Sequence, residues 1–143
     1  DLTRTFSASV KTVYAAWSSE AAQAVWGHPG EAWTMCFDQF HFAVGQTDIC
    51  RFGPKGGPEY INENRYLAIH PARRIVYSTS LTSVGRISFA GTVAVTFESV
   101  TADTEMHLIE TGIYFDDLDN VDDHLTGWQS MLDALGSYLD RAE

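Results

Sequence analysis

The chain has 143 residues, 45% apolar and 20% charged, with nine basic side chains against nineteen acidic ones for a formal charge of −10. That length suits one domain with a packed core, and that composition excludes long disorder. The negative balance repels a nucleic-acid backbone or an anionic membrane, and no apolar run approaches the ~20 residues of a membrane span.

Residues 2–6 alternate in the manner of a strand. Ser9 is placed to cap a helix over residues 10–17, with Val10, Val13, Tyr14 and Trp17 on one face at steps of three and four. Ser18 or Ser19 starts a second short helix that reaches Trp26, where Gly27-His28-Pro29-Gly30 stops it. From Trp33 to Phe115 the pattern is strand after strand. Turn signals fall at residues 41–45, 53–58, 70–73, 83–85 and 101–104, the rhythm of an antiparallel meander. With the first strand this makes about seven. Asp119 or Asn120 caps a last helix of about twenty residues, and Asp122 and Asp123 meet the positive end of its dipole. Leu125, Trp128, Leu132, Leu135 and Leu139 form one stripe along it, to be buried against the sheet. The fold class is therefore α+β.

A tight turn at residues 101–104 would set Phe97 opposite Leu108, Val95 opposite Glu110 and Val93 opposite Gly112. Glu110 then shares an apolar face with Val93, Val95, Phe97 and Leu108, where a carboxylate is costly unless paired or near water. Alternatively, a bulge at Gly112 turns Glu110 outward, or it pairs with Arg65 or Arg51. Similar arithmetic, with a hairpin centred on Ala43, faces Cys36 with Cys50. Two buried, reduced thiols in a cytoplasmic protein are the expected state, with a strained cross-strand disulfide as the alternative, and two cysteines are too few for a secreted disulfide scaffold. With no basic-then-apolar leader at its start, the chain reads as soluble and cytoplasmic.

No chemistry-bearing motif stands out. The five histidines are isolated, and no His-x-x-x-His, Cys-x-x-Cys or His-Glu-x-x-His spacing exists. The acidic run at residues 116–123 lacks the glycine and distal glutamate of a calcium loop, and Gly56-Gly57 between two prolines reads as a turn. No nucleophile elbow is found. Trp26, Trp33, Trp128 and Phe97 are candidates for the walls of a hollow beneath the last helix, with ordinary core filling as the alternative. Gly127 lets helix and sheet approach or leaves room for a ligand.

Four segments in this order resemble the activator of heat-shock protein 90 ATPase homologue-like family, within the START/SRPBCC superfamily of helix-grip folds. They are Val13-Tyr14-Ala15-Ala16-Trp17, Gly45 (followed by Gln46 where the family commonly has a second glycine), the stretch from Ile69-His70-Pro71 through Arg73 to Ser78, and Gly127-Trp128 with the leucines after it. The resemblance covers nearly the whole chain, as one START/SRPBCC-like domain over 1–143. It implies a seven-stranded antiparallel sheet gripping the C-terminal helix, with a hydrophobic cavity between them, and it transfers no catalytic residue. True co-chaperones of this kind carry a second, N-terminal domain, so chaperone ATPase activation is not the expected activity.

The expected function is binding of a small hydrophobic or amphipathic molecule between sheet and C-terminal helix. Glu110, with Arg65 or Ser78, would anchor its polar end, and Trp26, Leu67, Phe97, Trp128 and Leu132 would form the walls. No metal, cofactor or catalytic residue is assigned. The alternatives are a cyclase- or hydratase-type enzyme using Glu110 as acid or base, and a chaperone-interaction module. A homodimer through the sheet edges or the outer aromatic face is compatible with the sequence.

Overall fold

The computed structural model describes residues 1–141. The chain runs β1 (Leu2–Phe6), α1 (Val10–Ser18), α2 (Glu20–Trp26), β2 (Trp33–Gln39), β3 (Thr47–Pro54), β4 (Tyr60–His70), β5 (Arg74–Ser83), β6 (Arg86–Val100), β7 (Asp103–Tyr114) and α3 (Val121–Arg141). The strands form one antiparallel, curved sheet in the order β1-β7-β6-β5-β4-β3-β2.

Local chemistry explains the helix boundaries. Ser9 and Ser19 each accept a hydrogen bond from the backbone N–H three residues on, at 3.3 and 3.2 Å, so each starts a helix. Asn120 does the same for α3: its Oδ1 accepts from the Asp123 N–H at 2.9 Å, while its Nδ2 donates to the Asp123 carboxylate at 3.0 Å. Asp119, the other candidate cap, accepts from the Asn120 N–H at 2.8 Å and leaves its second oxygen free for other work.

The core lies between α3 and the inner face of β5, β6 and β7. Leu132, Leu135 and Leu139 are buried in one cluster with Val93, Val95, Phe97, Met106 and Leu108. Full burial of one such leucine is worth roughly 2 kcal/mol. The helices α1 and α2 close one end and pack against α3.

Burial stops short of the predicted stripe. Leu125 remains 40% exposed and Val121, one turn earlier, 63%. Gly127 is exposed, and a methyl group built on it would meet nothing within 4 Å, so it permits no close approach to the sheet. Because an interior helix glycine costs about 1 kcal/mol relative to alanine, Gly127→Ala should raise stability by about that amount. Urea unfolding of the two proteins checks it.

Two register expectations are corrected. Val100 pairs with Asp103 across a two-residue turn, so Phe97 faces Met106, Val95 faces Leu108 and Val93 faces Glu110. The predicted partners are off by two residues, but the face is unchanged. In the β2–β3 hairpin the error is a single residue: Cys36 faces Arg51, while Cys50 faces Phe37. Cys36 is therefore exposed and Cys50 buried, and both are free thiols. Burial, then the neighbouring Cys36 and Asp38, pushes the Cys50 thiol up to about 12, which keeps it protonated and unreactive.

Candidate functional site

Tyr66, Tyr77, Val93 and Glu110 form one row across β4, β5, β6 and β7 on the inner face. No bulge interrupts β6 and β7, so Glu110 points inward, with its side chain 14% exposed. Its partners come from α3 rather than from arginine. The Nε1 of Trp128 donates to Oε2 at 3.0 Å, and Nδ1 of His124 lies 2.6 Å from Oε1. The other ring nitrogen of His124 meets the free oxygen of Asp119. The rings of Phe89 and Tyr114 flank the imidazole, with centroids 4.4 and 5.1 Å away.

An imidazole can donate to two carboxylates at once only as the imidazolium. Burial alone would lower the His124 pKa, but the hydrogen bonds to Glu110 and Asp119, together with their charges, outweigh it and raise the pKa above the ordinary histidine value. The cluster ties β7 to the segment before α3 and to its first turns. In the same region, burial and then the Glu110 charge push the Tyr77 hydroxyl upward, so it stays a neutral phenol.

Beyond the Glu110 row the inner face is less covered. The next row is Asp48, Asn64, Thr79, Gly91 and Gly112, and the one after it Cys50, Asn62, Leu81, Phe89 and Tyr114. Asn62, Asn64, Thr79 and Leu81 are half-buried. The exposed Val121 and Leu125 belong to the end of α3 that carries His124. Trp17 of α1 stacks on Trp128 at 6.3 Å between centroids and lies against Trp26 at 4.9 Å.

Asp48, which the sequence reading passed over, is the polar fastening of this region. It is 2% exposed. Its Oδ1 accepts from the backbone N–H groups of His41 and Phe42 at 2.6 and 3.2 Å, and its Oδ2 accepts from the Tyr66 hydroxyl at 2.8 Å. These bonds hold the β2–β3 loop, including Phe42 in a left-handed conformation (φ 45°), over Tyr66. Burial and then the Asp48 charge push the Tyr66 hydroxyl upward, so it remains a donor.

The predicted site residues divide between the two faces. Trp26, Phe97, Glu110, Trp128 and Leu132 lie on the inner side. Trp26 donates its Nε1 to the Ala16 carbonyl at 2.9 Å and, like Phe97 and Leu132, fills the core. Arg65 and Ser78 face each other on the outer side, where they line a shallow depression with Thr47, Glu63 and Ser80. Leu67 is the extra residue of a bulge between Tyr66 and Ala68 and is 45% exposed. Alternation from the buried Tyr66 turns Arg65 away from the core, so neither Arg65 nor Ser78 can assist Glu110. Arg51 is also occupied elsewhere, with Asp38 at 2.6 Å and Glu59 at 3.4 Å. Trp33 is half-buried against Phe52. Among the described residues, no group of three or more His, Cys, Asp or Glu side chains is arranged to hold a metal ion.

Residues 7–140 match the family model described as activator of Hsp90 ATPase homolog 1-like protein. The chain belongs to this family. Solved structures similar to this member of the activator-like family include a protein from Chromobacterium violaceum, 24% identical with a TM-score of 0.86, the match covering 96% of this chain and 94% of that one. A Rhizobium loti protein is 27% identical, with a TM-score of 0.85 over 96% and 93% of the two chains. A solution structure from Staphylococcus epidermidis, at 19% identity, has a TM-score of 0.79 over 99% and 89%. These likenesses establish the helix-grip-like fold of the family. No curated protein matches the chain at a significant level. No helix among the described residues is long and apolar enough to cross a membrane.

Proposed function

We propose that the chain, as one START/SRPBCC-like domain over 1–143, binds a small apolar or amphipathic molecule between β3, β4 and β5 and the N-terminal half of α3. One observation carries this reading: the apolar stripe of α3 continues to Leu125, yet Leu125 and Val121 stay exposed, and Asn62, Asn64, Thr79 and Leu81 of the inner face are only half-buried. An apolar stripe without a protein partner next to aromatic walls has the make-up of a small-molecule site. The half-buried Trp128 supplies the aromatic wall, with the buried Trp17 stacked behind it, and the His124 clamp holds the helix end in place. The reading goes with a cytoplasmic protein, in which Cys36 and Cys50 stay reduced.

The acid–base alternative has the Glu110–His124–Asp119 chain in its favour. However, both oxygens of Glu110 and both nitrogens of His124 are already engaged within the cluster and with Trp128. Proton transfer to a guest would first have to break one of these bonds, so a clamp is the better description. The binding reading is tested with Nile red, a neutral apolar dye. Its emission should rise and shift to the blue with the wild-type protein, and Leu81→Trp, which fills the half-buried face, should reduce the gain at least fivefold. Equal gains in both proteins, or none in either, would contradict the reading.

A further inference from the structure

Resting on that binding reading, we infer that the molecule held against the inner face presents an uncharged hydrogen-bond donor to Asn64 and carries no negative charge there. The side-chain oxygen of Asn64 is buried without a hydrogen-bond partner. A buried orphan acceptor costs roughly 1–3 kcal/mol, so its presence calls for a reason. Its neighbours do not meet the need. Asn62 spends its Nδ2 on Thr79 Oγ1 and the Ser80 carbonyl, both at 3.0 Å. Tyr66, one pair further along β4, spends its hydroxyl on Asp48. Asn64 stands between Asp48 and Thr79 in its row, at the edge of the less-covered region.

The charges around this region point the same way. Asp48, Glu110 and Asp119 are carboxylates, and the imidazolium of His124 offsets only one of them. Among the described residues, no arginine or lysine joins them. Arg51 and Arg65 belong to the outer face, and Arg4 pairs with Asp133 in the second half of α3. Lys11 is exposed on α1, Lys55, Arg73 and Arg86 lie in or beside the strand turns, Arg74 contacts His70, and Arg141 ends α3. An anionic head group would therefore enter a site with two net negative charges and no free basic partner. A hydroxyl is an uncharged hydrogen-bond donor, so it is a head group that suits the Asn64 acceptor.

Three probes on one skeleton test this: 2-naphthylmethanol, its methyl ether and 2-naphthoate, titrated into the full chain by calorimetry at pH 7. The alcohol should bind about tenfold tighter than the carboxylate and at least fivefold tighter than the ether. In Asn64→Leu the preference over the ether should vanish, and the unliganded variant should melt no lower than wild type because an orphan acceptor has been removed. Ether or carboxylate binding as tightly as the alcohol, or a preference that survives in Asn64→Leu, overturns the head-group assignment while leaving the binding site standing. A variant that melts well below wild type also overturns it, because Asn64 would then have structural partners. Absence of binding by all three probes overturns this inference and the binding reading together. The wild-type comparison of the three probes does not depend on the variant folding.

Discussion

Replacing His124 by alanine is expected to destabilise the protein by about 2–3 kcal/mol at pH 6, read from urea unfolding. Removing one member of a buried charge cluster costs about 3–5 kcal/mol because its partners are left uncompensated, and the figure is reduced here for residual solvent access. The side chains of His124, Glu110 and Asp119 are 16%, 14% and 11% exposed, so water relieves only part of the loss. Without the imidazolium, two carboxylates face each other and Trp128 keeps the only remaining hydrogen bond to Glu110. The effect also has a definite pH dependence. The folded pKa of His124 is raised, so the native state holds this proton more tightly than the unfolded chain does. Its contribution is complete below the unfolded histidine value of about 6.5. It is lost as pH rises through the higher folded value. The difference between wild type and His124→Ala should therefore shrink between pH 6 and pH 9. A difference that is constant or grows over that range would show that the imidazole acts only by packing against Phe89 and Tyr114.

Asp48→Ala is expected to cost more, about 3–4 kcal/mol. Three donors lose their acceptor at once: the N–H groups of His41 and Phe42 and the hydroxyl of Tyr66. Hydrogen bonds to a charged group are worth about 1.5–3 kcal/mol each, and a buried donor left unpaired adds its own desolvation cost. The loop can move to hydrate part of this, which keeps the sum below simple addition. Asp48→Asn retains an acceptor oxygen of the same shape and should recover more than half of the loss. If alanine and asparagine behave alike in urea unfolding, Asp48 does not fasten the loop as described.

The contrast between two hairpins shows what was legible in the sequence. At residues 101–104 the estimated pairing missed by two residues, and because side chains alternate with period two, Glu110 still fell on the correct face. At the β2–β3 turn the error was one residue, and it exchanged an exposed Cys36 for a supposed partner of Cys50. Parity survives an even error and not an odd one. The same weakness placed Arg65, Leu67 and Ser78 at the site: periodicity alone did not say which face of β4 and β5 turns inward, and a bulge at Leu67 resets the alternation.

The partners of Glu110 were harder to read because they are separated from it by a turn and a helix cap. A signal was nevertheless present. Counting back from Leu132 by fours gives Trp128 and then His124, so the helical period puts the imidazole on the sheet-facing side. His124 reads as isolated when only local metal spacings are considered, and Asp119 reads as no more than a candidate cap for the last helix. Asp48 shares the parity of Cys50 in β3, which already placed a carboxylate on the covered face. The helix boundaries were legible because they depend on local chemistry, namely serine and asparagine caps and a glycine-proline stop.

The most direct test follows the nitrogen-bound protons of the side chains in a 15N-labelled sample titrated with 2-naphthylmethanol. The indole signals of Trp17 and Trp128 and the side-chain amides of Asn62 and Asn64 should shift together and saturate, while the Trp33 indole and the Nε–H of Arg65 on the outer face stay in place. Saturable shifts confined to the Arg65 side chain on the outer face would contradict the account, as would a spectrum that the probe leaves unchanged.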